Sequence, residues 1–242
     1  MSIHVTVWNE YRHERTDEAA RKIYPHGLHA AIASALEQDP RFTVSTATLD
    51  EPEQGLPDSV LEATDVLVWW GHMAHGEVSD ALVERIAQRV EGGMGFIALH
   101  SAHYSKAFRR LMGSGCRSKW WEADDRERIF TVMPGHPIAA NLPEFFDLPA
   151  EETYCEHFNI PTPDELVFLS WFSGGAVLRS GCCYHRGAGK IFYFQPGHET
   201  YPTYYNENIR TVLRNAAAWA APTGKAPAYG KTEPFETESY KK

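Results

Sequence analysis

The first 111 residues alternate between short apolar segments and longer amphipathic ones. Four segments are predicted strands, because they either alternate apolar and polar positions or are almost wholly apolar: 3–8, 42–49, 65–70 and 95–99. Between them, apolar residues recur at helical spacing, as Leu28, Ile32 and Leu36 do in a helix expected to begin at Tyr24. Parallel neighbours need helical crossovers, so this alternation predicts an α/β fold with a doubly wound parallel sheet flanked by helices.

The rest of the chain is patterned differently. Short strand candidates divided by Pro and Gly lie within residues 129–185 and predict an antiparallel β extension of the sheet. The polar segment at 9–22 is expected to be a loop, and Ser105 is expected to cap a helix. We expect a single domain over residues 1–222 and a C-terminal tail at 223–242, which would contact a second copy if the protein is a homo-oligomer.

Composition narrows the classes of partner. The chain has 242 residues, of which 43% are hydrophobic, enough for a full core. Its net charge is −9, and no dense block of Lys and Arg is present to neutralise phosphates, so we expect no nucleic-acid partner. The start lacks the features of a signal peptide, and no apolar stretch approaches the ~20 residues that span a bilayer. We therefore expect a cytoplasmic protein without a membrane partner.

Polar groups suited to proton transfer or metal binding follow four predicted strands: those at 3–8, 65–70 and 95–99, and a further buried strand in KIFYF, residues 190–194. These groups are Asn9, Glu10, His72, His100, Ser101, His198 and Glu199. In open α/β sheets ligands bind outside the carboxyl ends of the strands, where the loops converge. The sequence therefore predicts one polar site there, with Asn9, Glu10 and His72 binding the substrate.

Two pairs of histidines are spaced three apart, His72 with His75 and His100 with His103. Residues at this spacing share one side of a helical turn, which suits a common metal ion or substrate. His29 could approach from the first helix, and we predict a divalent metal site of the zinc type at His29, His75 and His103. Two alternatives remain open: the ion lies nearer His72, His100 and His198, or these histidines are hydrogen-bonded structural residues.

The segment GFIALHSAHYS has the strand, sharp turn and helix of a nucleophile elbow. His100 in that turn is predicted to act as a general acid or base, or as a ligand. Alternatively Ser101 is a nucleophile, with His198 as base and Glu199 as the orienting carboxylate. The G-x-S-x-G form of the elbow is absent, and this disfavours Ser101 as a nucleophile.

Two further segments offer substrate contacts. If residues 151–157 alternate as a strand, Glu152, Tyr154 and Glu156 share one face and could enter the pocket, with Glu152 and Tyr154 in catalysis and Glu156 binding substrate. The alternative is an ordinary exposed edge strand. The pair Trp120 and Trp121, beside Arg117, Lys119 and Glu122, would suit the C–H face of a sugar ring, although tryptophans are more often core residues. Of the pair, Trp121 is the predicted substrate contact.

Several segments, taken in order, resemble the ThuA family of trehalose-utilization proteins over about residues 3–222: VWNEYRHE, KIYPHGLHAAIA, DVLVWWGHMAH, GFIALHSAHYSKAFRRLMG, PTPDELVFLSWFSGGAVLRSG and GKIFYFQPGHETYPTYY. The family is similar in fold to class I glutamine amidotransferases, and this implies a flavodoxin-like core with its site at the elbow. Those enzymes have a cysteine there, where this chain has His100 and Ser101. The resemblance implies carbohydrate metabolism, with a trehalose-like disaccharide or its 3-keto derivative as substrate.

Three hypotheses follow. The first is a metal-dependent enzyme acting on a sugar or 3-keto sugar without a cysteine nucleophile. The second is a sugar-binding or regulatory protein without catalysis. The third is a serine-dependent hydrolase or amidase using Ser101.

Overall fold

The structure, a computed structural model, describes residues 2–224 and contains one nine-stranded mixed sheet. In chain order the strands are β1 (Ile3–Asn9), β2 (Phe42–Thr48), β3 (Val66–Trp70), β4 (Gly95–Leu99), β5 (Lys119–Thr131), β6 (Phe145–Cys155), β7 (Glu165–Phe172), β8 (Val177–Arg186) and β9 (Gly189–Phe194). The spatial order is β2-β1-β3-β4-β9-β8-β7-β5-β6. In this spatial order the first five strands, β2, β1, β3, β4 and β9, pair in parallel. The last four, β8, β7, β5 and β6, extend the sheet in antiparallel pairs.

Helices cover both faces of the parallel strands, which confirms the predicted α/β fold with flanking helices. They are α1 (His13–Thr16), α2 (Glu18–Ile23), α3 (Leu28–Leu36), α4 (Asp58–Ala63), α5 (Asp80–Glu91), α6 (Lys106–Met112) and α7 (Glu207–Ala220). α3 and α7 pack on the face that holds Ile97, while α5 and α6 pack on the face that holds Phe96. Successive residues of β4 thus enter different cores, which is why this strand is apolar throughout.

Local predictions near the helix ends had mixed outcomes. The prediction that Ser105 caps a helix is confirmed, since its hydroxyl accepts the Phe108 N–H at the start of α6. The prediction of a loop at 9–22 is wrong, because α1 and α2 begin within that segment. α2 is capped by Asp17 and buries little besides Ala20, so it shows no apolar stripe. The helix predicted to begin at Tyr24 is α3, and it begins at Leu28. It starts later because the preceding Gly27 has a φ of 89°, which is outside the helical range.

Residues 225–242, nearly all of the predicted C-terminal tail, lie outside the described residues. Within residues 2–224, none of the helices combines the length and the apolar character needed to cross a lipid bilayer.

The hairpin of β5 and β6 extends beyond the neighbouring strand. Residues 127–131 pair with β7, whereas 119–125 pair with β6 alone in the described structure, and a bulge at Asp125 separates the two halves. The outer half places Trp120 opposite Tyr154. The Tyr154 ring lies 5.1 Å from the His100 ring, so this arm of the hairpin reaches the carboxyl ends of the parallel strands.

The close approach of α7 to β4 gives a stability prediction. A Cβ atom added at Gly95 would lie 2.5 Å from the carbonyl oxygen and 2.8 Å from the Cβ of Ala220. We expect Gly95→Ala to lower the free energy of unfolding by about 1–3 kcal/mol, because the helix must move away from the strand. Urea denaturation measures this, with Gly135→Ala as the control because its added Cβ meets nothing within 4 Å. Equal stability of the two variants would contradict the packing described.

Candidate active site

Four histidines and two glutamates converge at the carboxyl ends of the parallel strands. They form two adjacent groups in which all ligand atoms lie within 4.8 Å of one another: His13, His72 and Glu199, and His100, Glu152 and His198. We call these six residues the histidine centre. Five follow the parallel strands β1, β3, β4 and β9, and Glu152 comes from the hairpin arm. The sheet therefore brings together residues that are far apart in the sequence.

His100 occupies the strained position of the elbow. Its φ is 53°, in the left-handed region, and its ring is fully buried. Nδ1 donates to the Gln195 carbonyl at 2.9 Å, and Nε2 lies 2.9 Å from Glu152 Oε2, although not aligned as a hydrogen bond. Burial alone would lower the pKa of His100, but Glu152, with smaller contributions from Glu151 and Glu199, raises it to about 9. At neutral pH this imidazole is a cation.

Glu199 is held between two imidazoles. Its Oε1 lies 3.2 Å from His13 Nε2, and its Oε2 lies 3.2 Å from His72 Nδ1. The two rings stack with centroids 4.8 Å apart. Burial would raise the pKa of Glu199, but His72, His198 and His13 outweigh it and lower the pKa to about 2. The buried group is therefore a carboxylate, which suits a cation-binding role.

His198 differs from His100 although their ring centroids are only 5.4 Å apart. Nδ1 lies 2.8 Å from the Thr200 hydroxyl, and the buried Nε2 has no hydrogen-bond partner among residues 2–224. Burial and the charge of His100 lower the pKa of His198 to about 4. The centre thus holds one protonated and one neutral imidazole side by side.

Glu151 anchors the segment that carries His198. Oε1 accepts the backbone N–H groups of Glu152 and His198, and Oε2 accepts the Gly197 N–H and the Thr203 hydroxyl. Four donors fill both oxygens of this buried carboxylate. It therefore joins β6 to the loop between β9 and α7 and sets the position of His198.

Two residues predicted to bind substrate are instead engaged in holding loops. Glu10 accepts the backbone N–H groups of Met73 and Ala74 at 2.8 and 2.9 Å, which fixes the turn that follows His72. Asn9 is fully buried and donates to Glu14 at 2.7 Å. Neither lines the cavity beside the histidine centre that is described below.

The three histidines predicted to bind a metal are not assembled. His29 Nδ1 contacts Asn9 at 3.1 Å, whereas His75 and His103 line the cavity. Among residues 2–224 no group with ligand atoms within 4.8 Å contains this set. The helical spacing misled because neither pair lies within a regular helix: His72 precedes the 3₁₀ turn His75–Glu77, and His100 has a φ of 53°, outside the right-handed helical region. His29 lies beside β1 on α3.

A third group with ligand-like spacing lies elsewhere, at His136, Glu165 and Cys183. Here His136 Nδ1 accepts the Ile138 N–H at 3.1 Å, so Nε2 of the neutral ring carries the proton and faces Glu165 at 3.2 Å. Burial raises the pKa of Cys183, which keeps the thiol protonated. This group is arranged as a structural hydrogen-bonded cluster.

Ser101 is not arranged as a nucleophile. Its hydroxyl donates to the Gly71 carbonyl at 3.0 Å and not to an imidazole. The strained elbow position belongs to the preceding residue, His100. The serine hypothesis therefore lacks the contact between nucleophile and base that such chemistry requires.

A cavity of about 370 Å³ opens beside the histidine centre. Nine residues line it: His72, His75, Ser101, His103, Tyr104, Arg117, Ser118, Trp120 and Tyr154. Its volume lies within the range typical of small-molecule sites, about 300–1,000 Å³. Trp120, not the predicted Trp121, contributes the exposed indole, because neighbours on a strand face opposite ways and Trp121 turns toward Asp125. Glu156 lies beyond the end of β6 and is bound by Arg179 at 2.8 Å.

Two important residues did not emerge from the sequence: His13 and Glu151. His13 lies on α1, in the segment expected to be a loop, and its only signal was proximity to the end of β1. Glu151 neighbours the predicted site residue Glu152, and a register one residue different along the strand would have identified it. Of the tryptophan pair considered from the sequence, Trp120 and not Trp121 lines the cavity.

The fold and the site define an α/β protein with a histidine-rich site at the carboxyl ends of its parallel strands. A family model described as ThuA, trehalose utilisation, matches residues 4–220, and the chain belongs to this family. No curated protein matches it in sequence.

Solved structures share the fold at low sequence identity. A ThuA-like protein from Parabacteroides merdae is 16% identical with a TM-score of 0.67, and covers 94% of each chain. Another from Bacteroides uniformis is 17% identical with a TM-score of 0.64, covering 93% of this chain and 94% of its own. A cytoplasmic protein from Salmonella typhimurium is 14% identical with a TM-score of 0.56, covering 90% and 100%.

The Glu151 anchor can be tested by an isosteric change. Glu151→Gln places an amide N–H₂ where backbone and hydroxyl donors already point, so at least two buried donors lose an acceptor. We expect the free energy of unfolding to fall by about 2–4 kcal/mol, measured by chemical denaturation. The control is Glu207→Gln, which weakens only an exposed pair with Arg210. A loss no larger than that of the control would show that Glu151 is not an anchor.

The buried histidines of the cavity predict loss of stability in acid. Burial lowers the pKa of His75 to about 4 and that of His103 to about 3, from the ordinary 6.5. As the pH falls from 6.5 toward 4, the unfolded chain binds protons that the folded chain does not, so the free energy of unfolding decreases. His103→Gln should make this dependence shallower, by up to about 1.4 kcal/mol per pH unit. Urea denaturation across this pH range tests it, and an unchanged slope would mean that His103 is not held neutral.

Proposed function

We propose that this protein is a metal-dependent enzyme of carbohydrate utilisation that acts on a sugar or a 3-keto sugar. The observation that carries the proposal is the histidine centre, which places a candidate metal triad beside a pair of imidazoles with opposite protonation states. The cavity next to it offers an aromatic face and polar groups for a sugar ring. Membership of a family described by trehalose utilisation supports the substrate class.

The proposed metal ligands are His13, His72 and Glu199. Catalytic zinc sites use three protein ligands, including two His with one Glu, and leave a fourth position open. Ligand atoms at ~2.0–2.1 Å from a tetrahedral ion lie about 3.3 Å apart. Both carboxylate oxygens of Glu199 lie 3.2 Å from an imidazole nitrogen, which fits this spacing. Glu10 Oε1, 3.9 Å from His13 Nδ1, is placed to orient that ring.

His100 and His198 are the proposed acid and base. Neighbouring titratable groups whose environments drive their pKa values apart are typical of acid–base pairs. His100, with a raised pKa of about 9, carries a proton to donate, and His198, with a lowered pKa of about 4, has a free imidazole. The Thr200 backbone N–H reaches His198 Nδ1 at 3.3 Å, so the base function requires the ring proton to shift from Nε2 to Nδ1, where it is donated to the Thr200 hydroxyl and leaves Nε2 as the acceptor.

A 3-keto sugar makes this pair sufficient for elimination. A divalent ion held by His13, His72 and Glu199 would supply Lewis acidity to the ketone, which itself acidifies the neighbouring C–H group. His198 removes that proton, the electron pair forms a C=C bond, and the bond from the anomeric carbon to the glycosidic oxygen breaks. His100 gives its proton to the departing oxygen, and the neighbouring Glu152 then favours reprotonation of the neutral His100. No oxidant or covalent nucleophile is needed.

The strand order supports the relationship to flavodoxin-like and class I glutamine amidotransferase folds. The parallel strands lie in the order β2-β1-β3-β4-β9, which corresponds to the flavodoxin order 2-1-3-4-5. The elbow after β4 carries His100 where those amidotransferases carry cysteine. We therefore propose the same architecture with a different reaction.

Metal analysis and turnover of 3-keto-trehalose test the proposal. Purified protein should contain about one divalent ion per chain, and His72→Ala should lose both ion and activity. His100→Gln should retain the ion and lose roughly 10²–10⁴-fold in turnover, because only the proton donor is missing. Measurements at several pH values should show activity falling above pH 9.

Other outcomes would identify the other hypotheses. Full turnover by metal-free protein would exclude a metal-dependent reaction. Full activity of His100→Gln would exclude His100 as the general acid. Tight binding of disaccharides without chemical change would indicate a binding protein. Loss of activity in Ser101→Ala with the ion retained would favour the serine mechanism instead.

A further inference from the structure

We infer that the outer end of the cavity is a subsite for an anionic substituent, a phosphate or carboxylate, on the sugar. Arg117 provides the charge, and His103 and Trp120 hold the ring. The inference rests on the proposed function only in that the occupant is a sugar.

The first argument is the charge of the lining. The chain is acidic, with 32 Asp and Glu against 23 Lys and Arg. Among the nine residues that line the cavity none is acidic, whereas one is an arginine and three are histidines. Arg109, stacked on Tyr104 with its guanidinium 4.9 Å from the ring centroid, adds positive charge behind the wall. An acidic protein thus presents a non-acidic, partly cationic pocket.

The second argument is the state of Arg117. Within residues 2–224 its guanidinium has no carboxylate within 4.0 Å and makes no side-chain hydrogen bond, whereas Arg12, Arg85 and Arg128 each bind an acidic side chain. A guanidinium fork binds a phosphate or carboxylate with two parallel hydrogen bonds. Arg117 is therefore available for an anion that enters the cavity.

The third argument is a buried acceptor in the wall. His103 is 6% exposed, and its Nδ1 donates to the Cys116 carbonyl at 2.6 Å. Nε2 of the neutral ring then carries a lone pair, and it has no hydrogen-bond partner among the described residues. Such a nitrogen accepts a hydrogen bond from a sugar hydroxyl. Trp120, 59% exposed, supplies an aromatic face for the ring.

The charged groups at the two ends of the site set the orientation of the bound sugar. Glu122, two residues beyond Trp120, lies 3.9 Å from His198 and therefore marks the end of the site nearer the histidine centre. Negative charge at that end and the arginine at the other direct the anionic substituent outward. The reacting carbon of the sugar then faces His100 and His198.

Calorimetry with three probes tests the subsite: glucose, glucose 6-phosphate and glucuronate. We expect both anionic sugars to bind at least about 10-fold more tightly than glucose, since an ionic hydrogen-bond pair discriminates by this factor or more. Arg117→Gln should remove the difference, and Arg117→Lys should retain part of it. Trp120→Ala should weaken all three alike. The control, Arg41→Gln, breaks an exposed pair with Asp39 at the opposite end of the strands and should bind as the wild type does.

Equal affinity for glucose and the anionic sugars, or no detectable binding of the anionic sugars, would overturn the inference. So would retention of the difference in Arg117→Gln. Inorganic phosphate alone should bind weakly, and binding as tight as that of glucose 6-phosphate would show an anion site unrelated to sugars. Binding is measured without turnover, so a failure here leaves the metal and acid–base proposal standing, and a failure of that proposal leaves this one testable.

Discussion

Four carboxylates are buried at one end of the parallel strands, and the site depends on how each is neutralised. Glu10, Glu151, Glu152 and Glu199 are all at most 3% exposed. A buried charge is tolerated only when it is paired, hydrogen-bonded or bound to a metal. Glu10 and Glu151 satisfy this with backbone and hydroxyl donors, whereas Glu152 and Glu199 use imidazoles. The first pair therefore holds the loops, and the second pair is coupled to the protonation of the neighbouring histidines.

The way the carboxylates are neutralised explains why His100 and His198 of the histidine centre have different pKa values. His100 lies between a carbonyl oxygen and Glu152, so the cation is favoured and its pKa rises to about 9. His198 is buried beside that cation, so a second positive charge is disfavoured and its pKa falls to about 4. Two identical side chains thus acquire opposite roles from their surroundings alone. The strained backbone of His100 is maintained because the ring is fixed from both sides.

The antiparallel extension supplies what the parallel strands cannot. Parallel strands end in short loops, which present His72, His100 and His198 at a common edge. The β5–β6 arm then covers this edge and contributes Glu152, Tyr154 and Trp120. The strand ends and the hairpin arm therefore form two different walls of the cavity.

The sequence by itself determined the elements that burial makes periodic. The apolar runs β3 and β4, the stripe of α5 and the Ser105 cap are local patterns, and they predicted an α/β sheet with polar residues at its strand ends. It could not show which polar residues meet. α1 and α2 bury too little to leave a stripe, so the pattern did not reveal His13. Equal i, i+3 spacing suggested a metal site, but His72 and His100 do not lie in helical conformation with their partners. Only tertiary structure decides these contacts, because they join loops and strands distant along the chain, and local spacing carries no information about such distances.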